Sequence, residues 1–451
     1  MGRIFGTDGV RGKANAELTA LLAYKLGLAG AHVLAKSYNT LQQQPCMLIG
    51  ADTRISSDMF AAALTAGICS AGVNVYNAGV MPTSAVAYLV RKHRLSAGVM
   101  VSASHNPFGD NGIKFYNNNG FKLSDDMEDE IAALVADFDN IPLATGADVG
   151  RILPNFDADN EYKEFLMDCV DRVDLHGLRV ALDCANGATY KVAADTFRQL
   201  GATVSVTANS PDGININDGC GSTHMEYITN FANSQSGFDV AFAFDGDGDR
   251  CFALDEKGVV IDGDMLLLII GTHWKQKGLL ANNTIVATVM SNLGFYNAAK
   301  QLDINVIQTK VGDRYVLEKM IECDHVLGGE QSGHIICKQH HTTGDGLLTA
   351  LLVADIMIAT GKKLSELNIM TKMPQALVNA RIANNAKERV LADATITAEI
   401  AALEARFAGN GRVLIRPSGT EPLVRVMIEG ENLDEITAEA QRIADLMESL
   451  K

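Results

Sequence analysis

Basic charge is what this sequence most lacks: 38 Lys and Arg stand against 54 Asp and Glu, a formal net charge of −16. A nucleic-acid binder needs a basic face, so that partner class is excluded, and cations serving an anionic ligand must be gathered locally. Proline is scarce (9) while glycine is not (41), a balance that suits many strand–loop–helix junctions rather than disorder. The eight cysteines form no Cys-x-x-Cys pair and no zinc spacing, and read as reduced core residues of a cytosolic protein. No apolar run reaches bilayer length; the longest, Leu347 to Ala359, is interrupted by Asp355. The opening Met-Gly-Arg-Ile-Phe-Gly has no apolar secretion core, and Gly6 stands where a myristoylation signal needs Ser or Thr. A soluble, cytoplasmic protein without a membrane partner is expected.

What is present is enough apolar sequence, 47% of 451 residues, to build three or four domains. Helix-period segments (Leu18 to Ala35, Ser57 to Ala71) alternate with short apolar runs (Met47 to Ala51, Val73 to Tyr76, Gly98 to Val101). Acidic residues 125–137 read as a solvent-facing helix, and turn-rich residues 140–155 as a linker. A second round begins near 156 with strands at 179–183, 203–206 and 238–244. A third carries strands at 284–290, 306–309 and 324–327 and the apolar helix 347–359. The same grammar three times over predicts three related α/β domains with mixed sheets. From about 370 the pattern changes to strand (377–382), helix (388–408), two strands (412–416, 423–429) and helix (433–450), a smaller α+β module. The expected domains are 1–153, 154–256, 257–369 and 370–451.

Four polar loops carry the chemistry. Ser102-Ala-Ser104-His-Asn-Pro107 follows an apolar strand; Pro107 cannot continue a ladder, and Ser104 is presented at a strand end, where α/β proteins place function. Asp245-Gly-Asp247-Gly-Asp249-Arg250 puts three hard oxygen ligands at alternate positions with glycines between, which suits Mg²⁺ or Mn²⁺. An EF-type calcium loop fails because its sixth position needs Gly and holds Arg250, and because the flanks read as strands. Gly329-Glu330-Gln331-Ser332-Gly333-His334 offers short polar groups for sugar hydroxyls. Arg416-Pro-Ser418-Gly419-Thr420-Glu-Pro422, with Arg425 beyond, combines a guanidinium fork, two hydroxyls and loop amides into a phosphate cradle. Lys310-Val-Gly312-Asp313-Arg314 adds cations at a strand-to-helix junction. Each loop alone is also compatible with an ordinary turn. Together they supply a nucleophile, a divalent metal, a polyol reader and a phosphate clamp, one per domain, around a central cleft.

These four motifs, in this order over nearly the whole chain, resemble those of the α-D-phosphohexomutase family. The opening Phe5-Gly-Thr-Asp-Gly-Val-Arg-Gly12 and Gln331, where the phosphomannomutase/phosphoglucomutase branch carries Met, resemble the branch acting on glucosamine phosphates. The resemblance implies that Ser104 is phosphorylated in the resting enzyme and joins Asp245, Asp247 and Asp249 around one Mg²⁺ per chain. It further implies that Arg11, Lys114 and Arg250 handle charge and protons beside it, with His334 near the reacting end. Glu330 and Ser332 would hold sugar hydroxyls, 311–315 would be a specificity loop including Gly312, Asp313 and Arg314, and Arg416, Ser418, Gly419, Thr420 and Arg425 would hold the non-reacting phosphate. The implied reaction interconverts glucosamine 6-phosphate and glucosamine 1-phosphate through a 1,6-bisphosphate, with glucosamine or glucose 1,6-bisphosphate as activator, on the route to UDP-N-acetylglucosamine and peptidoglycan. A homodimer is likewise implied.

Other classes fit less well. A serine hydrolase needs a Gly-x-Ser-x-Gly elbow or a triad, and in an extended chain His105 would point away from Ser104. A metal-dependent phosphatase would release phosphate, and a non-catalytic sugar-phosphate sensor would bind without turnover.

Overall fold

The computed structural model describes residues 4–6, 8–36, 44–154, 156–235, 237–418 and 422–450. They form two compact units, residues 1–290 with 304–368, and residues 291–303 with 369–451.

The larger unit holds three sheets. The first is built from β1 (Val10–Lys13), β2 (Cys46–Ala51), β3 (Asn74–Val80), β4 (Ala97–Val101) and β5 (Asp110–Asn117); the second from β6 (Arg179–Asp183), β7 (Thr203–Thr207), β8 (Val240–Phe244), β9 (Cys251–Asp255) and β10 (Val260–Ile261); the third from β11 (Thr284–Thr288), β12 (Asn305–Thr309), β13 (Leu327–Gly329) and β14 (Ile335–Cys337). Their orders are β1-β5-β4-β2-β3, β10-β9-β8-β6-β7 and β12-β11-β13-β14. One plan recurs. Two strands flank a third in parallel, and a last strand returns antiparallel: β3, β2, β4 and β5; β7, β6, β8 and β9; β12, β11, β13 and β14. The three related α/β domains expected from the sequence are therefore present as one topology used three times. The connection between third and fourth strand falls at the same place each time: residues 102–109, 245–250 and 330–334. Those connections carry Ser104, the three aspartates and the Glu330-to-His334 motif.

The parallel strands are apolar because both faces are covered; every residue of β2, β4, β8 and β11 is buried. Helix Ala20–Lys36 crosses Ser57–Ser70 at glycine: a Cβ on Gly67 would sit 2.2 Å from the Tyr24 carbonyl oxygen. Helix Gly346–Thr360 is buried along most of its length and is capped by Asp345, whose Oδ1 accepts from the Leu348 amide at 2.9 Å.

Several sequence expectations need correcting. The glycine-rich opening forms β1, paired antiparallel with β5 in the register Val10↔Ile113 and Arg11↔Gly112. Residues 140–155 are not a free linker: the Leu153 amide donates to the Val75 carbonyl at 2.8 Å and the Val75 amide to Arg151 at 2.9 Å, adding a short rung beside β3. The second sheet runs past residue 256 to Ile261. β13 starts only at Leu327, because Asp324 has φ +52° in the turn after a helix. The helix expected over 388–408 is two, Lys387–Leu391 and Ala394–Phe407, divided where Asp393 caps the second through the Thr395 and Ile396 amides. The acidic helix Asp125–Ala136 is not wholly solvent-facing, since Ile131 is buried in the first domain's core.

In the smaller unit β15 (Gln375–Arg381), β16 (Arg412–Pro417) and β17 (Leu423–Glu429) form an antiparallel sheet ordered β15-β17-β16. Ile396, Leu403 and Phe407 of one helix and Ile436, Ile443 and Met447 of helix Leu433–Ser449 share a core with Val424, Val426 and Ile428. This is the α+β module expected from the sequence. Residues 291–303 join it through Glu429, which accepts from Asn292 Nδ2 at 2.9 Å and from the Leu293 amide at 3.1 Å. Among the described residues no helix is long and apolar enough to cross a membrane. All eight cysteines are free thiols.

Asp345 gives a stability prediction. Tyr162 donates to its Oδ2 at 2.8 Å, but burial dominates and pushes its pKa up to about 6. The folded protein therefore binds the Asp345 proton more tightly than the unfolded chain, and this group's contribution falls as pH rises from about 4 through 6. Holding an ionised carboxylate there costs on the order of 3 kcal/mol. Asp345→Asn should gain stability relative to wild type between pH 4.5 and 7.5 in urea titrations; a difference that does not change with pH would contradict this.

Candidate active site

Ser104 is built into its loop under constraint. It is 1% exposed and has φ +53°, a left-handed conformation that costs a non-glycine residue roughly 1 kcal/mol or more. What holds it is Arg54, 2% exposed, whose guanidinium donates to the carbonyls of Ser104 (2.9 Å), Asn106 (2.8 Å), Asp110 (3.2 Å) and Pro107. Asp52 orients the guanidinium through Nε at 2.8 Å and also accepts from the Ser102 hydroxyl at 2.6 Å, which in turn accepts from the Ser104 amide at 2.9 Å. From the second domain, Asn217 Nδ2 donates to the same Ser104 carbonyl at 2.9 Å. Neither Arg54 nor Asn217 was singled out from the sequence. Asp52-Thr-Arg54 at the end of an apolar strand was the available signal for the first; Asn217 lies in a polar loop that offers none.

The Ser104 hydroxyl donates to Asp245 Oδ2 at 2.7 Å. The left-handed turn also corrects the sequence expectation for His105: Nδ1 lies 3.4 Å from Ser104 Oγ rather than pointing away. Burial, with Arg250 and Arg11 nearby, pushes the His105 pKa down to about 4, so the ring is neutral. Its distance exceeds that of a nucleophile–base pair, and the hydroxyl is committed to Asp245 instead.

Asp245, Asp247 and Asp249 are buried and bring one carboxylate oxygen each to within 4.8 Å of one another. Burial and the other two carboxylates push Asp245 well above the usual carboxylate range. Asp249 goes the other way: burial opposes its charge, but His334, Lys114 and Arg250 outweigh it. Among the described residues, Asp247 Oδ1 and Asp249 Oδ1 are buried without a hydrogen-bond partner. Hard oxygens in this number, two of them unsatisfied, fit Mg²⁺. The remaining oxygen of Asp247, Oδ2, accepts from Thr83 Oγ1 at 2.8 Å and Lys114 Nζ at 2.9 Å.

Around the triad, charges alternate. Lys114, 2% exposed, also lies 3.0 Å from Asp8 Oδ2, and its two carboxylates outweigh burial and keep it an ammonium. Asp8 pairs with Arg11 as well, and with Lys122 at 2.6 Å; burial would raise its pKa, but the three cations hold it well below the ordinary range. His334 has Nδ1 3.4 Å from Asp249 and Nε2 3.3 Å from Asp313, with the Gly344 amide 3.1 Å from Nε2. Burial disfavours its charge, yet the two carboxylates raise its pKa to about 9. The Arg250 amide donates to Asp245 Oδ1 at 3.2 Å, and Arg250 pairs as a β-bridge with His334.

The loop 330–334 is closed by the Glu330 amide on the His334 carbonyl and the Gly333 amide on the Glu330 carbonyl, both at 3.0 Å. Gly333 has φ +89° and meets the Cys251 carbonyl where a Cβ would stand, so this loop lies directly on the metal loop's strand. Glu330 Oε1 accepts from the Gly312 amide at 3.1 Å, tying in residues 311–315. Arg314 is paired with Asp125 at 2.8 Å and Glu318 at 2.9 Å; Ser332 is half-buried in its loop. Thus Arg11, Ser104, Lys114, Asp245, Asp247, Asp249, Arg250, Gly312, Asp313, Glu330 and His334 converge, with Asp8 as a partner the sequence reading passed over beside Arg11.

In the smaller unit, Arg416 and Arg425 face each other across β16 and β17 at the stem of the phosphate loop. Lys387 Nζ donates to the Ser418 carbonyl at 2.5 Å. Gly419 and Thr420 lie outside the described residues.

Substituting Arg54 removes the charge partner of buried Asp52 and frees four loop carbonyls. Arg54→Met should cost about 3–5 kcal/mol of unfolding free energy in urea; a loss below about 1 kcal/mol would contradict the role given to Arg54.

Comparison with known proteins agrees with this geometry. Sequence models of the phosphoglucomutase/phosphomannomutase domains match in order: α/β/α domain I at residues 2–141, II at 160–258, III at 262–373 and the C-terminal domain at 377–446. The phosphoglucosamine mutase of Clostridium novyi (strain NT) is 55% identical over 450 residues, covering 99% of each chain. A phosphoglucomutase/phosphomannomutase family protein from Burkholderia thailandensis shares the fold, with a TM-score of 0.81 at 22% identity over 99% of this chain and 97% of its own. So does Aspergillus fumigatus N-acetylphosphoglucosamine mutase, solved with GlcNAc-6P and magnesium, with a TM-score of 0.70 at 19% identity over 99% and 95%. The chain belongs to the phosphoglucomutase/phosphomannomutase family.

Proposed function

We propose that this protein is a phosphoglucosamine mutase, an isomerase that interconverts glucosamine 6-phosphate and glucosamine 1-phosphate through a phosphoserine at Ser104. The observation that carries the reading is the Ser104 hydroxyl set 2.7 Å from Asp245 of a buried carboxylate triad. The name and 55% identity of the Clostridium novyi protein support the substrate.

A phosphoserine brings about −1.5 to −2 charges into this pocket. Asp245, Asp247, Asp249 and a phosphoserine oxygen would hold Mg²⁺, which would supply Lewis-acid charge for the phosphoryl group. Arg250 and Arg11, which already press on His105 electrostatically, neutralise the rest. In the first transfer the bond from phosphorus to Ser104 Oγ breaks and one to sugar O1 forms. The proton leaving O1 is balanced by one arriving on Oγ, so the transfer has no net proton change, with Lys114 and Arg11 beside it as the charge- and proton-handling groups. After the bisphosphate turns over, O6 and Ser104 exchange roles. Glu330 and Ser332 hold sugar hydroxyls throughout, and Arg416, Ser418, Gly419, Thr420 and Arg425 hold the phosphate that is not reacting. Positioning and electrostatics do the catalysis, as phosphoryl transfer requires.

The reading also brings one Mg²⁺ per chain, a hexose 1,6-bisphosphate as activator, a homodimer and a cytoplasmic place on the route to UDP-N-acetylglucosamine and peptidoglycan precursors. The alternative within the family is a phosphoglucomutase/phosphomannomutase; Gln331 in the sugar loop favours the glucosamine branch.

The test is a mutase assay with Mg²⁺ on the 1-phosphates of glucosamine, N-acetylglucosamine, glucose and mannose, run in parallel. Glucosamine 1-phosphate should give the highest kcat/KM, EDTA should abolish turnover reversibly, and Ser104→Ala should fall by at least about 10⁴-fold. Arg416→Ala should mainly raise KM. Preference for glucose or mannose phosphates would move the protein to the other branch, and full activity of Ser104→Ala would end the account.

A further inference from the structure

We propose that Lys122 is a positioning residue, a charged strut that fixes the sugar-reading loops of the third domain in register with the nucleophile-bearing first domain. The inference rests on the functional reading above and extends it to a residue that contributes to no reacting group. Lys122 Nζ lies 2.6 Å from Asp8 Oδ1 and 2.6 Å from Asp313 Oδ2, its side chain only 15% exposed. Asp8 belongs to the segment that also holds Lys114 and Arg11. Asp313 opens the helix Asp313–Glu322 directly after the Gly312 amide that engages Glu330, and its carboxylate faces His334 Nε2 at 3.3 Å. One ammonium thus bridges the carboxylate behind the proton-handling lysine to the carboxylate behind the sugar loop.

Its neighbours make the same crossing. Arg314 Nη1 reaches Asp125 at 2.8 Å, and Thr342 Oγ1 donates to the Gly120 carbonyl at 2.7 Å, so residues 120–125 of the first domain grip residues 313, 314 and 342 of the third. A groove of about 370 Å³ runs along this seam, lined by Phe121, Lys122, Met127, Asp313, Leu317 and Ile336 among others. Apolar packing across it is therefore incomplete, and polar contacts fix the relative placement. Of these, only Lys122 has both ends in the site's charge network. Asp313 and Arg314 accordingly serve the sugar through the loop they anchor rather than by direct contact.

A residue that sets alignment has its own kinetic signature. Displacing reacting groups by about 1 Å can cost on the order of 100-fold in rate, while loops that remain intact still bind sugar. In the full-length protein with Mg²⁺ and glucosamine 6-phosphate, Lys122→Met should lower kcat roughly 10–100-fold with KM within about threefold, by the same argument. Lys122→Arg, which keeps a cation of similar reach, should recover most of the rate, and Asp313→Asn should reproduce the kcat loss from the other end. In a readout independent of turnover, amide hydrogen exchange at residues 311–317 should accelerate in Lys122→Met while that of strands β2 and β4 does not. A folded Lys122→Met with wild-type kcat overturns the strut, as does a rise in KM alone, which would make Lys122 a substrate contact. If Lys122→Met does not fold, wild-type kcat in Asp313→Asn has the same force. Wild-type protein inactive on every hexose phosphate overturns the functional reading; unchanged exchange then overturns the strut separately.

Discussion

Three carboxylates cannot share a buried space of 4.8 Å unless positive charge surrounds them. The charged groups around the triad follow from that constraint. Lys114 and Arg250 flank the triad directly, His334 is drawn toward protonation by Asp249, and two triad oxygens are left for a cation from outside. Each added cation then calls for its own counter-charge, which is why Asp8 and Asp313 stand behind Lys114 and His334, with Lys122 between them. The result is a polar interior whose members come from three domains, so that assembling the domains and assembling the site are one event.

Topology makes this convergence economical. Each domain offers the connection between its third and fourth strands, in the same relation to its own sheet. The strands before these connections are parallel, apolar and buried, giving rigid supports. The connections themselves are short, so Ser104, the three aspartates and residues 330–334 are held with little freedom. Where a loop conformation is costly, as at Ser104, buried hydrogen bonds from Arg54 and Asn217 maintain it. The strained residue is also the one whose hydroxyl is fixed on Asp245 of the aspartate loop.

The sequence made the repeat legible because buried parallel strands read as apolar runs, and the loops legible because Asp-Gly-Asp-Gly-Asp and Ser-Ala-Ser-His-Asn-Pro are poor strand and poor helix. It hid β1 and the start of β5, where glycine, asparagine and charged groups dominate and the strand character shows in the pairing. It also hid the groups that act across long separations. Two helices and two strands separate Arg54 from Ser104 in sequence, and Lys122 meets Asp313 only through the fold. The mistaken orientation of His105 has a local cause: an extended chain was assumed at Ser104, where the backbone is left-handed.

The most direct test of the central claim, that Ser104 carries the transferred phosphoryl group, is a single-turnover experiment. Protein phosphorylated with labelled phosphate on Ser104 is mixed with one equivalent of unlabelled glucosamine 6-phosphate and Mg²⁺, and the label is followed in the Ser104 peptide and in the sugars. The account predicts that label leaves Ser104 for the 1-position of the sugar while phosphate from the 6-position replaces it. Label that stays on Ser104 during turnover, or that appears as inorganic phosphate at the rate of turnover, would contradict it.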